Sequence, residues 1–224
     1  MKRALFMLAV AASFLSAESL QDVLRRMDQS AKMFRSLSAD VHKTDYTAVY
    51  DETTVEDGTF KMLKRAKTAV LLAEFRGRDP RKLRIAGNKV EYYHPKANSV
   101  DEYDARKFAK SVDELLLVGF GVSSTDLQKD FDISAGGSET IDGRKTTRLD
   151  MTPKSAERKK IFNMIQLWIP EDQGNPIQEK RLLGKENKDY NLFQFSNMKI
   201  NPSLPDSDFE LNLPAGVKRN KAGN

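Results

Sequence analysis

The feature that most constrains this fold is the series of short β-prone segments that fills the chain from Ala39 onwards. Polar and apolar residues alternate there with a period of two, which is typical of strands with one buried face. Turn-forming residues separate the segments at close intervals, as at Asp79-Pro80, Asp142-Gly143 and the 172–175 turn. The pattern predicts a mainly β, antiparallel fold of about eleven strands.

The boundaries of the first β segments, up to Phe75, are predicted from a single turn-forming tripeptide. Glu56-Asp57-Gly58 is predicted to be a hairpin turn, followed by one long strand from Thr59 to Phe75. Residues 218–224 are predicted to form a polar tail. Further strands are predicted over 82–85, 90–94, 100–103, 132–135, 138–141, 145–151, 161–169, 177–183, 191–200 and 209–213.

Helical patterns precede and interrupt the β segments. Ser19 can cap a first helix, whose apolar residues recur every three or four positions as far as Leu37. A second helical stretch is predicted over 108–116 and a short helix over 124–131, with Ser124 or Thr125 as its cap. Gly119 and Gly121 flank Phe120 at the end of an apolar cluster over 115–120, which predicts either a buried helix end or a lid with a glycine hinge.

The first seventeen residues have the order of an export signal. Lys2 and Arg3 form a basic start, 4–15 an apolar stretch, and Ser16-Ala17 a small-residue exit. Cleavage near Ala17 would release a protein into the periplasm, and no cysteine follows the apolar stretch to carry a lipid anchor. We therefore predict a signal peptide at 1–17 and a single domain over 18–217.

Composition excludes several classes of function. The 224 residues include no cysteine and two histidines, which removes thiolate metal sites, cysteine-dependent catalysis and multi-histidine metal cages. No glycine-rich phosphate loop occurs, so neither a metal nor a nucleotide cofactor is expected. Removing Lys2 and Arg3 lowers the net charge from +5 to +3, and the remaining basic residues are interspersed with acids. That pattern is typical of a solvated surface, and no nucleic-acid partner is expected.

A curled sheet of this strand number has an interior too wide for its own side chains to fill. It must enclose a ligand cavity or be plugged by the helices, and the inward-facing residues of this chain are largely apolar. An apolar ligand is therefore expected. The residues that we predict to line its site are Leu24, Met27, Phe60, Met62, Val70, Leu72, Tyr92, Leu115, Leu116, Phe120, Ile165, Leu167, Phe193 and Phe195.

Three groups of motifs, in this order and spacing, resemble the LolA family of periplasmic lipoprotein carriers and its relatives LolB and RseB. Their positions span nearly the whole chain from Leu20 to Val217. The first is Val90-Glu91-Tyr92-Tyr93-His94-Pro95; the second is Ile165-Gln166-Leu167-Trp168-Ile169 with the 172–177 turn; the third comprises 195–201, 208–211 and 214–217.

The resemblance implies an unclosed antiparallel β-barrel, with an N-terminal helix and a helical insertion over its open side and a cavity for acyl chains. In LolA-type carriers an arginine in the strand after the first hairpin holds the helical lid shut. The corresponding strand here, 67–75, contains no arginine, so this chain departs from the family at that point.

The function implied is that of a periplasmic carrier, not an enzyme, which binds the acyl chains of lipoproteins or related lipids and moves them between the inner and outer membranes. An inner-membrane release complex and an outer-membrane acceptor are its implied partners, and the protein is expected to be a monomer. The alternative is a periplasmic domain of the same fold that senses a lipid or a partner protein without transporting it, as an RseB-like regulator would.

Overall fold

The computed structural model describes residues 18–66, 68–104, 118–184 and 186–221. The predicted signal peptide and the helical stretch at 108–116 lie outside the described residues. Three α-helices are present in the described part of the chain: α1 (Leu20–Met33), α2 (Ser124–Asp130) and α3 (Ala156–Lys159). The strands are β1 (Ser36–Thr47), β2 (Glu52–Lys64), β3 (Ala69–Arg76), β4 (Arg81–Ala86), β5 (Lys89–His94), β6 (Ser99–Asp104), β7 (Phe131–Ile141), β8 (Arg144–Pro153), β9 (Met164–Pro170), β10 (Gln178–Leu183), β11 (Asp189–Ile200) and β12 (Lys218–Lys221).

All twelve strands belong to one sheet, in the order β12-β6-β5-β4-β3-β2-β1-β11-β10-β9-β8-β7. The pairings are antiparallel apart from that of β12 with β6, which is parallel. The edges of the sheet, β12 and β7, do not pair with each other within the described ranges. The mainly β fold that the sequence pattern predicts and the unclosed barrel that the resemblance implies are both confirmed.

Helix α1 begins as predicted and ends earlier. The Ser19 hydroxyl accepts a hydrogen bond from the Asp22 backbone N–H, as an N-cap requires. At the other end the Asn201 side-chain amide donates to the Met33 carbonyl, and its oxygen accepts from the Arg35 N–H. This distant residue ends the helix at Met33, so Leu37 lies in β1 and its predicted place in the helix is wrong.

The predicted hairpin at Glu56-Asp57-Gly58 is also wrong. These residues lie in the middle of β2 and pair with 41–43 of β1, and the turn is formed by residues 48–51. A Cβ at Gly58 would lie 2.4 Å from the Glu74 carbonyl oxygen of β3. The glycine permits a close approach between strands and does not mark a turn.

Residues 59–75 form the end of β2 and most of β3, and not one long strand. The Arg65 N–H donates to the Thr68 carbonyl in the connection between them. In β7 the 136–137 glycine pair, predicted to separate two strands, forms a bulge within one continuous strand. Ser123, and not Ser124 or Thr125, caps α2.

The C-terminal region differs from the prediction in two places. Residues 209–213 form no strand, because a 3₁₀ turn over Asp206–Phe209 leads into an irregular segment. Residues 218–221, predicted to be part of a polar tail, form β12, where Arg219 pairs with the buried carboxylate of Glu91 at 3.0 Å. No helix among the described residues is long and apolar enough to cross a membrane.

Candidate functional site

The sheet has an inner face, which we define as the face that carries Phe60, Tyr92, Phe193 and Phe195. A cavity of about 120 Å³ lies against it, between β1–β5 on one side and β10 and β11 on the other. Its walls are mostly aromatic and aliphatic. The lining residues are Val41, Lys43, Phe60, Leu71, Ala73, Phe75, Arg81, Leu83, Tyr92, Arg181, Phe193 and Phe195.

The structure distributes the predicted site residues over three regions. Phe60, Tyr92, Phe193 and Phe195 line the cavity, and Met62 and Phe120 belong to the buried cluster that surrounds it. The second region is the cluster between α1 and strands β8 and β9, which holds Leu24, Met27, Ile165 and Leu167.

The third region is the opposite, outer face of the sheet. Val70 and Leu72 pack there beneath Phe209 and Leu211 of the C-terminal segment, away from the cavity. Leu115 and Leu116 lie outside the described residues. The cavity therefore brings together four of the predicted residues directly, and the other described ones support the fold around it.

The segment of residues 118–121, which we call the Phe120 segment, covers one side of the cavity cluster. The Phe120 ring lies 5.6 Å from the Phe195 ring, edge to face, and 6.5 Å from the Phe34 ring. Its side chain is 1% exposed. Gly121 has a φ of +68°, and a Cβ there would lie 2.6 Å from the Phe34 ring, so only glycine fits at this position.

A buried ion pair fixes the start of the Phe120 segment to the sheet. Glu179 is fully buried, and one carboxylate oxygen accepts a hydrogen bond of 2.5 Å from Arg181 Nε. The other oxygen accepts from the Val118 backbone N–H at 3.1 Å. Burial raises the pKa of the Glu179 carboxyl, and the charge of Arg181 and the two hydrogen bonds oppose that rise. The carboxylate thus connects β10 to the segment that carries Phe120.

Sequence reasoning missed this pair. Glu179, Arg181 and Leu183 alternate along β10, so they share one face, and Glu179 is the cross-strand neighbour of Phe193. An acidic and a basic residue two positions apart in a strand, with an apolar residue opposite one of them on the neighbouring strand, could have indicated a buried ion pair.

A second ion pair lies at the opposite wall of the cavity. Arg81 forms two parallel hydrogen bonds to the Glu56 carboxylate, donates to the Tyr92 hydroxyl at 3.2 Å, and lies with its Cζ 4.6 Å from the Phe75 ring centre. The hydrogen bonds from Arg81 lower the pKa of the Glu56 carboxyl below its usual value of 4.5. Lys43 lies 3.6 Å from Glu56 and also pairs with Asp45.

The Glu56 pair makes stability dependent on pH. A carboxyl whose pKa is lower in the folded state stabilises the fold above its unfolded pKa, and that contribution is lost as the pH falls through the folded value. Glu56→Gln is therefore expected to lower the free energy of unfolding by about 1–3 kcal/mol at neutral pH. The difference from the parent should shrink below about pH 4.5.

Urea unfolding at a series of pH values measures both quantities. Glu52→Gln, an exposed position on the same strand, is the matched control and should change stability by less than about 0.5 kcal/mol at every pH. A constant deficit in the Glu56→Gln variant from neutral to acidic pH would contradict this assignment.

No protein-family model matches the sequence, and no curated protein matches it. Solved structures do match. An uncharacterised conserved protein from Thermus thermophilus superposes with a TM-score of 0.57 over 91% of this chain and 99% of its own, at 12% identity. The lipoprotein LppX of Mycobacterium tuberculosis gives a TM-score of 0.50 over 84% and 99%, at 16% identity. MucB gives 0.50 over 85% of this chain and 62% of its own, at 13% identity.

The chain shares the LolA-like fold of LppX and MucB. This confirms the fold that the three groups of sequence motifs imply. At these identities the likeness concerns the path of the chain and not the ligand, so function has to be argued from the cavity itself.

Proposed function

We propose that this LolA-like protein is an exported carrier that binds the acyl chains of lipoproteins or related lipids in the cavity and transfers them between the inner and outer membranes. The observation that carries the proposal is the apolar cavity on the inner face, closed by a segment that one buried ion pair holds in place. The proposal extends to the periplasm as its location, to a donor complex and an acceptor as its partners, and to a monomeric, non-catalytic protein.

The walls favour hydrocarbon. Phe60, Phe193 and Phe195 present aromatic rings to the cavity, and Leu71 and Leu83 add aliphatic groups. Each buried CH₂ group contributes about 0.8 kcal/mol, so a chain of about sixteen carbons could gain on the order of 12 kcal/mol before entropic costs. Only part of this free energy can appear as binding affinity, because a carrier has to release its ligand.

The cavity volume indicates that binding requires a rearrangement. A space of about 120 Å³ suits a molecule the size of benzene, whereas ligand pockets usually measure about 300–1,000 Å³. The Phe120 ring contacts the Phe195 ring of the cavity wall, and Phe120 lies between Gly119 and Gly121, so a change in backbone conformation at these glycines would move it. Withdrawal of Phe120 would join its own volume to the cavity, and in this view the described structure is the closed form.

Three measurements test the proposal in sequence. Mass spectrometry of organic extracts should identify acylated material bound to the protein purified from its native compartment, and a fluorescent acyl probe should bind the emptied protein and be displaced by lipid. The protein should then speed the exchange of labelled lipid between two vesicle populations. Binding without faster exchange would favour the non-transporting sensor, and absence of binding would overturn the proposal.

A further inference from the structure

Three basic side chains line the apolar cavity, and they differ in how their hydrogen-bonding capacity is used. Arg81 donates to Glu56, to Tyr92 and to the Asp79 carbonyl. Lys43 has two carboxylate partners. Arg181 has one hydrogen bond among the described residues, from Nε to Glu179, which leaves its Nη1 and Nη2 groups without an acceptor there.

The position of Arg181 makes these two groups available to a ligand. Its side chain is 9% exposed and forms part of the cavity wall. The guanidinium carbon lies 5.0 Å from the centre of the Phe193 ring, and both residues line the cavity. Guanidinium N–H groups that have no acceptor among the described residues and lie at a cavity wall can donate hydrogen bonds to a ligand in the cavity.

The charges around the cavity determine which kind of hydrogen-bond acceptor on a ligand would suit Arg181. Glu179 already balances the charge of Arg181, and Lys43 and Arg81 have carboxylates of their own in Asp45 and Glu56. An anionic ligand would add an unbalanced negative charge to a nearly dry site. A neutral carbonyl oxygen accepts hydrogen bonds without that penalty, and an apolar chain attached to it would face the aromatic walls.

We propose that Arg181 is the site that recognises the acyl carbonyl of the ligand, with Nη1 and Nη2 donating to an ester or amide oxygen while the hydrocarbon lies against Phe60, Phe193 and Phe195. The inference rests on the proposed acyl-binding function and deepens it. Arg181 then selects ester- or amide-linked acyl chains over plain hydrocarbon and over alkyl ethers.

The experiment compares two probes that differ in one oxygen atom. Glycerol 1-monododecanoate has an ester carbonyl, and 1-O-dodecylglycerol has a CH₂ group in its place. Titration calorimetry or displacement of a fluorescent acyl probe should show the ester binding at least about tenfold more tightly to the parent protein. Dodecanoate, the charged relative, should bind less tightly than the ester.

Two variants separate recognition from folding. Glu179→Gln/Arg181→Met removes the guanidinium and keeps an oxygen for the Val118 N–H, and its preference for the ester over the ether should fall to about twofold or less. Glu179→Gln alone keeps the preference and, since Arg181 is then unbalanced, should bind dodecanoate at least about tenfold more tightly than the parent does. Circular dichroism checks the fold of both variants.

The outcomes are distinct. Equal affinity of the parent for ester and ether would overturn the role of Arg181 and leave the acyl-binding function in place. Tighter binding of dodecanoate than of the ester would also overturn it, because charge and not the carbonyl would then be recognised. If neither the ester nor the ether binds, the proposed function itself fails. The comparison on the parent protein decides the question even if the double variant does not fold.

Discussion

Glu179→Ala is expected to lower the free energy of unfolding by about 3–5 kcal/mol. The substitution leaves the Arg181 guanidinium buried without its counter-ion and removes the acceptor of the Val118 N–H. The cost comes from the charge left behind and not from the attraction lost, because two buried charges that pair well are each expensive to bury alone. Urea unfolding followed by circular dichroism measures the change.

The matched variants distinguish this explanation from simple loss of packing. Glu179→Gln keeps an oxygen acceptor and should cost less than the alanine variant. Glu179→Met/Arg181→Met removes both charges at similar volume and should cost less than the alanine variant, about 1–3 kcal/mol, because only the Val118 N–H is left without its acceptor. A loss below about 1 kcal/mol in Glu179→Ala would show that Glu179 neither balances Arg181 nor anchors the Phe120 segment.

The parts of the fold that sequence alone could predict are those that depend on neighbours in the chain. The start of α1 follows from Ser19 and Asp22, which are three residues apart. The hairpin between β7 and β8 follows from Asp142-Gly143, both of which have positive φ values. In each case the deciding hydrogen bond or backbone conformation is local, so residue type carries the information.

The errors arise where a distant residue decides. Asn201 ends α1 from a position 168 residues beyond Met33, and Gly58 serves the close approach of β3 instead of a turn. The final strand, β12, is polar throughout and shows no alternation. Its place is set by pairing with β6 and by the contact of Arg219 with Glu91, neither of which residue periodicity can indicate.

The candidate site shows the same division. Phe60, Tyr92, Phe193 and Phe195 could be predicted because aromatic residues in strands usually face a core. In β3 the prediction chose Val70 and Leu72, whereas Leu71 and Ala73 line the cavity. Both faces of this strand are covered, one by the cavity cluster and one by the C-terminal segment, so its residues are apolar at odd and even positions alike and the register cannot be deduced.

Phe120→Asp is expected to detach the Phe120 segment from the sheet while the barrel stays folded. A carboxylate between the Phe34 and Phe195 rings would be buried among apolar side chains, and leaving the cluster for water is its least costly response. Phe120 can respond in this way because Gly119 and Gly121 flank it, whereas Val118, at the start of the segment, stays packed in the cluster between α1 and strands β8 and β9. Retention of bound acyl ligand should fall.

Three readouts test this expectation: dye fluorescence and circular dichroism on the ligand-free protein, and the lipid yield on the protein as purified. Fluorescence of an environment-sensitive hydrophobic dye should rise at least severalfold over the parent, because the aromatic walls of the cavity become accessible. Far-ultraviolet circular dichroism should be unchanged, and less lipid should co-purify. Phe120→Leu, which keeps an apolar side chain at the same position, is the control and should resemble the parent in all three. If the aspartate variant matches the parent in dye signal and lipid yield, Phe120 belongs to the permanent core and ligand entry must follow another route; if it loses its β spectrum, the segment is a part of the barrel that cannot open separately.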